Sequence, residues 1–201
     1  MTPSPASARR AFLLAALRLL SLFVLVFYGV DALTALRSTR LHLYAAWELA
    51  IPYWPAAFAV YFSVLAVPFL MLVIAPDAAR IRRWERQMAL AVACAGVVFV
   101  LLPAQLGYAP VAPASPAAQA WAWLAAHLAG TYNLVPSLHV GLALLTFLFV
   151  WPVAGRRVRW LLASWFLLLA ASVLLTHQHH VLDVAGGVAL ALVLGPRRHP
   201  A

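Results

Sequence analysis

The sequence predicts an all-α integral membrane protein with six transmembrane helices and both termini cytoplasmic, and three observations carry that expectation. Apolar residues fill 66% of the 201 positions and charged residues only 9%, a balance that no soluble core of this size can absorb. The apolar residues gather into runs long enough to cross a roughly 30 Å hydrocarbon core at about 1.5 Å per helical residue. Every basic side chain other than histidine is arginine, and these arginines cluster in alternate connections, as the positive-inside rule requires. The formal charge of +9 therefore reports topology. Nucleic acid is not an expected partner, and the length leaves room for a single domain over 1–201.

Hydropathy places the spans near residues 11–34, 51–75, 88–106, 136–153, 159–176 and 179–195. The first is preceded by Arg9 and Arg10 and contains Arg18; it is too long for a signal-peptide core and lacks a convincing cleavage site, so an uncleaved signal-anchor is expected. The second opens in the aromatic stretch Trp47 to Trp54, where Pro52 and Pro55 can start a helix without losing a hydrogen bond. Arg80, Arg82, Arg83 and Arg86 separate it from the third, which holds the single cysteine, Cys94, read as packing. The longest connection follows, from Gly107 to Val135, with Pro110, Pro113 and Pro116 and then an uncharged apolar patch, Ala117 to Ala129, carrying Trp121 and Trp123. An extended strip leading to an interfacial helix is expected, serving as an anchor or as a lid. Arg156, Arg157 and Arg159 divide the fourth span from the fifth, and Arg197 and Arg198 follow the last. The outer connections keep only Arg37 and Arg40.

Two histidine signatures lie about forty residues apart at the edges of apolar runs: Asn133-Leu134-Val135-Pro136-Ser137-Leu138-His139 and Thr176-His177-Gln178-His179-His180-Val181-Leu182-Asp183. The span that begins near Pro136 descends and the next climbs back, which returns His139 and His179 to one face. Four helical residues separate His179 from Asp183, leaving the two about 40° apart, so the carboxylate can hold one imidazole nitrogen and leave the other basic. A first helical turn at Pro136 also aims free N–H groups outward, where a phosphate can sit.

At these residues the chain resembles the type 2 phosphatidic acid phosphatase superfamily, and within it the branch that includes inositol-phosphorylceramide synthases. Pro136-Ser137-Leu138-His139 is similar to the superfamily's second motif, and His179 with Asp183 to the end of its third. The resemblance implies catalysis without a metal or other cofactor. It implies a nucleophilic His179, an orienting Asp183 and His139 protonating the leaving oxygen. The substrate implied is a membrane lipid phosphate or diphosphate, or a phospho-head-group lipid, handled at the outer, periplasmic face of a bacterial inner membrane. The superfamily's usual cations are missing: the chain has no lysine, offers Ala104 and Gln105 after Pro103, and has Ser172 and Val173 where Ser-Arg is usual.

Charge neutralisation is therefore expected from other residues. Arg37 and Arg40 rank first, because guanidinium forks stabilise a transferring phosphoryl group better than neutral donors. Asn133, Ser137, Thr176, Gln178 and His180 are further candidates for binding substrate, with His42, His177 and Tyr132 nearby. Asp31 and Glu48 are read as marking the interface or pairing with those arginines. Two other functions stay open: a metal-dependent hydrolase built on His177, His179, His180 and Asp183, and a lipid transporter or binding protein without catalysis.

Overall fold

The computed structural model describes residues 5–196, and the chain is helical with no strand among them. Arg197 and Arg198, part of the expected cytoplasmic cluster, lie outside the described residues. We number the helices in chain order: α1 (Ala6–Ala35), α2 (Pro55–Val73), α3 (Ala78–Leu101), α4 (Pro116–Leu128), α5 (Leu138–Val150), α6 (Arg156–Leu175) and α7 (Val181–Leu194). Four of them, α1, α2, α3 and α6, are long and apolar enough to cross a membrane. The other two expected spans, α5 and α7, have 13 and 14 residues, about 20 Å of helix. Both are shorter than expected at both ends: α5 starts two residues late and stops three early, and α7 starts two late and stops one early.

Several boundaries differ from the hydropathy reading, each for a local reason. α3 begins at Ala78, ten residues earlier than expected, because Asp77 caps it by accepting the Arg80 N–H at 2.6 Å. Hydropathy registers the arginines of this stretch as a connection, whereas Arg, Glu, Gln and Met are all good helix formers. α2 begins at Pro55, after a separate 3-10 turn, Ala46–Ala50, and includes the 3-10 stretch Ser63–Phe69 around Pro68. α1 contains one π-turn, Val24–Tyr28. The helix expected after the proline strip is α4, with Ser115 accepting the Ala118 N–H at 3.2 Å and Pro116 at its first position.

Two helix pairs organise the packing: α1 runs along α3, and α5 along α7. The second pair meets almost backbone to backbone. A Cβ added at Gly187 would lie 2.5 Å from the Ser137 carbonyl oxygen, and one at Gly141 would lie 3.2 Å from that of Gly187, so no larger residue fits without moving a helix. Toward the arginine end the core is Phe12, Met71, Ile81, Trp84, Leu145 and Phe149, with Trp84 Nε1 donating to Thr146 Oγ1 at 3.0 Å. Toward the other end Phe58, Tyr61, Val140 and Val173 form a second cluster against Trp121 of α4.

Candidate active site

The two histidine signatures meet at one end of the α5–α7 pair. α6 ends in a Schellman motif: the His177 N–H bonds the Leu174 carbonyl at 3.0 Å and the Gln178 N–H bonds that of Val173 at 3.1 Å. His177 occupies the left-handed position of this motif, with φ of 56°, a place usually taken by glycine. That reversal delivers His179 to the start of α7. Opposite it, Ser137 caps α5 and its own N–H donates to the Asp183 carbonyl at 2.9 Å, which ties the first turn of one helix to that of the other.

The resulting constellation is compact. His179 and Asp183 are buried, and His179 Nδ1 lies 3.1 Å from Asp183 Oδ2. That same oxygen accepts the His180 N–H at 2.8 Å. The pair was expected to share a helix face, yet α7 begins only at Val181. Asp183 reaches His179 by folding back over the first turn as a capping residue. With Nδ1 facing the carboxylate, Nε2 is the nitrogen left to act as a base or nucleophile. The His139 ring lies 6.1 Å from that of His179, edge to face, and stacks on Tyr61 at 4.1 Å.

Glu48 is the residue that sequence reasoning placed least well. It is 3% exposed; Oε1 accepts the Ala45 N–H at 2.9 Å, and Oε2 lies 3.2 Å from His180 Nδ1 and accepts the Val181 N–H at 2.7 Å. Burial pushes its carboxyl up, but the donated N–H groups of Ala45 and Val181 and the His180 ring together hold it below the usual carboxylate range. Glu48 therefore closes the N-terminus of α7 across 132 residues of sequence, and neither the interface nor Arg37 and Arg40 explains its position. The only hint in the sequence is an acidic residue in an otherwise apolar belt.

His180, one of the expected substrate ligands, turns both ring nitrogens to protein groups. Its Nε2 accepts the Gly107 N–H at 3.1 Å while Nδ1 faces Glu48, so both ring nitrogens are taken. Burial holds its pKa below the usual value, against the opposing pull of Asp183 and Glu48. Its ring stacks between Tyr44 at 4.5 Å and Tyr108 at 4.4 Å, and Tyr108 stacks in turn on His177 at 3.9 Å. The Tyr108 hydroxyl donates to the His179 carbonyl at 3.4 Å, and its pKa is pushed up to about 12 by burial and the Glu48 and Asp183 charges. This aromatic stack comes from three separated segments, so no local pattern foretold it.

The other expected substrate ligands fare unevenly. Arg40 is committed elsewhere: its guanidinium donates to the carbonyls of Thr34 and Ala35 and lies over the Tyr132 ring at 4.2 Å. Open carbonyls at the end of α1 attract that cation. Arg37 is exposed. Asp31, whose Oδ1 accepts the Thr131 and Tyr132 N–H groups, pins the same loop, and Asn133 Nδ2 donates to the Phe27 carbonyl within the π-turn. Asn133 Oδ1 is buried without a partner. The Thr176 hydroxyl donates to the Ser172 carbonyl at 2.7 Å and Gln178 Nε2 to that of Thr176 at 3.4 Å. Ser137 Oγ faces the Val140 N–H at 3.5 Å. The N–H groups of Leu138 and His139 in the first turn of α5 have no helical partner.

The residues of the alternative metal cluster turn apart. His177 Nε2 donates to the Ile51 carbonyl at 2.9 Å, His179 faces Asp183 and His180 faces Glu48. Among the described residues no group of three His, Cys, Asp or Glu side chains assembles as a metal site.

Residues 26–195, which contain both signatures and the helices that carry them, match the PAP2 superfamily. The chain belongs to that superfamily. No curated protein matches it. PAP2 membership supports a phosphatase-type phosphoesterase, and the four long apolar helices support association with a lipid bilayer.

Proposed function

We propose that this PAP2 protein is a membrane lipid phosphatase or phosphotransferase, a single domain with six membrane spans working through a phosphohistidine on His179. The observation that carries the reading is the buried His179–Asp183 pair with the His139 ring 6.1 Å away. In the first half-reaction His179 Nε2 forms a bond to phosphorus as the bond to the leaving oxygen breaks, and His139 gives that oxygen its proton. In the second half, water or an alcohol attacks phosphorus, the P–N bond breaks, and His139 takes up the proton released. Asp183 keeps Nδ1 protonated and stabilises the imidazolium form. The N–H groups opening α5 meet the phosphoryl oxygens, in the manner of helix N-termini that bind anions.

Retaining the two histidines and the aspartate without the usual cations favours the inositol-phosphorylceramide-synthase-like branch, and with it a lipid donor such as a phosphatidic-acid-like, prenyl-diphosphate or phospho-head-group lipid. The arginine distribution supports cytoplasmic termini and a site open to the periplasmic side of a bacterial inner membrane. Trapping tests the core of the reading. Protein quenched during turnover of a 32P-labelled lipid phosphate is expected to carry acid-labile, base-stable label, and His179→Ala none. Equal labelling of the variant would overturn it. A reporter fused after Arg198 should read cytoplasmic and one inserted between Pro110 and Pro116 should read external; the reverse result would overturn the orientation.

A further inference from the structure

At the end of the bundle opposite the histidines, a cavity of about 530 Å³ opens between α3, α5 and α7. Arg80, Arg83 and Arg86 line one side of it, and Leu90, Leu148 and Val193 line apolar walls. Residues three apart on a helix are neighbours, so the three arginines form a ladder along one face of α3. Arg80 is engaged, its Nη1 donating to the Phe149 carbonyl at 3.1 Å, where it offsets the negative end of α5. Arg83 and Arg86 are exposed, and among the described residues neither is paired with a carboxylate. The acids nearest in sequence are occupied: Asp77 caps α3, and Glu85 pairs with Arg18 of α1 at 3.0 Å.

We propose that this cavity binds the phosphate head group of an anionic phospholipid. Two unpaired guanidinium groups suit phosphate oxygens. The apolar walls decide for a lipid over a free ion, because Leu90 and Val193 are 46% and 73% exposed and continue the hydrocarbon-facing surface of the helices from the arginines outward. A free phosphate would leave those walls without a partner, whereas the acyl chains of a lipid cover them. The volume lies within the roughly 300–1,000 Å³ of small-molecule sites. The site is separate from the reaction, and its basic ladder is where anionic lipids are drawn to membrane proteins.

The test uses the full chain carrying His179→Ala, so that lipid is retained, purified in mild detergent and followed by native mass spectrometry. It is titrated with phosphatidylglycerol, phosphatidylcholine and inorganic phosphate. Phosphatidylglycerol is expected to bind more tightly than phosphatidylcholine, and Arg83→Gln with Arg86→Gln to weaken it by about tenfold. Arg156→Gln with Arg157→Gln, an equal charge change at exposed positions on the same end and outside the cavity, is expected to leave binding intact. Leu148→Trp, which fills the cavity and keeps every charge, should also weaken it. Equal weakening by both arginine pairs, or none by the first, would overturn the site in favour of diffuse surface charge. Inorganic phosphate binding as tightly as phosphatidylglycerol would overturn the lipid assignment. Turnover of a soluble phosphate ester by the Arg83 and Arg86 variant with His179 intact is expected to be unchanged, so this test and that of the phosphohistidine fail independently.

Discussion

Glu48 and Asp183 at the histidine end are 3% and 1% exposed and each accepts at least two hydrogen bonds, whereas Arg83, Arg86, Arg156 and Arg157 at the other end are exposed and, among the described residues, form no ion pair. The contrast separates two uses of charge in one membrane protein. A group kept dry by protein holds its neighbours in a single geometry, because losing any partner leaves an unsatisfied charge. A group left in water orients the chain and meets head groups, and no single neighbour depends on it. Substitutions at the two ends should therefore differ in kind as well as in size.

The largest effects are expected at the buried carboxylate–imidazole pair. His179→Ala should abolish turnover, and Asp183→Asn should lower kcat by roughly 10⁴ while leaving the protein folded, as with other orienting carboxylates. His139→Ala should slow esters with poor leaving groups far more than activated ones. Equal losses on both would reassign His139 to binding. Glu48→Gln comes next. A neutral amide cannot match all three contacts of the carboxylate, and leaving the buried Ala45 or Val181 N–H poorly satisfied costs about 1–3 kcal/mol, so this variant should melt below the parent and also turn over more slowly, since α7 then loses the group that holds its first turn. A lowered melting point with kcat unchanged would show that the α7 N-terminus is positioned without Glu48.

Gly187→Ala should cost about 1–3 kcal/mol, because its methyl group meets the Ser137 carbonyl oxygen and overpacks the α5–α7 contact; thermal unfolding in detergent reads the effect. Acidification should act at the same end. Burial holds His180 below its ordinary 6.5, so the unfolded chain takes up that proton first, and stability is full above about pH 6.5 and falls as pH drops below it. Glu48, also depressed, acts in the same direction at lower pH. A melting temperature flat from pH 7.5 to 5 would break the link between the histidine end and its dry packing. The smallest effects are expected from the arginines. Arg40→Gln should cost about 1 kcal/mol through its lost carbonyl contacts, with maximal rate within a few-fold, and Arg37→Gln should be close to neutral. A large loss of maximal rate in Arg40→Gln would show that its guanidinium leaves α1 to meet the phosphoryl group.

How far the chain can be read without coordinates depends on the range of the interaction concerned. Four of the six expected spans, the helix after the proline strip and the approach of His139 to His179 were legible because hydrophobic length and short motifs are local or periodic signals. The start of α3 was missed because a hydropathy window weighs charge and ignores the Asp77 cap. Arg37 and Arg40 were favoured as phosphate ligands on charge alone, and Arg40 instead satisfies the last carbonyls of its own helix, a competition that composition cannot express.

By itself the sequence determined the setting and the residues at issue: an apolar helical chain, with arginines clustered in alternate connections, carrying two histidines and an aspartate in the order and spacing of a PAP2 protein. Tertiary structure alone decided how those residues are held. Glu48 bonds His180 and Val181 from 132 and 133 residues away, Ser137 bonds Asp183 between helices, and Tyr44 and Tyr108 enclose His180 from two different loops. The physical reason is that local propensity and periodicity set which segments become helix, whereas the partner of a buried polar group is whichever one the packed backbones bring within about 3 Å.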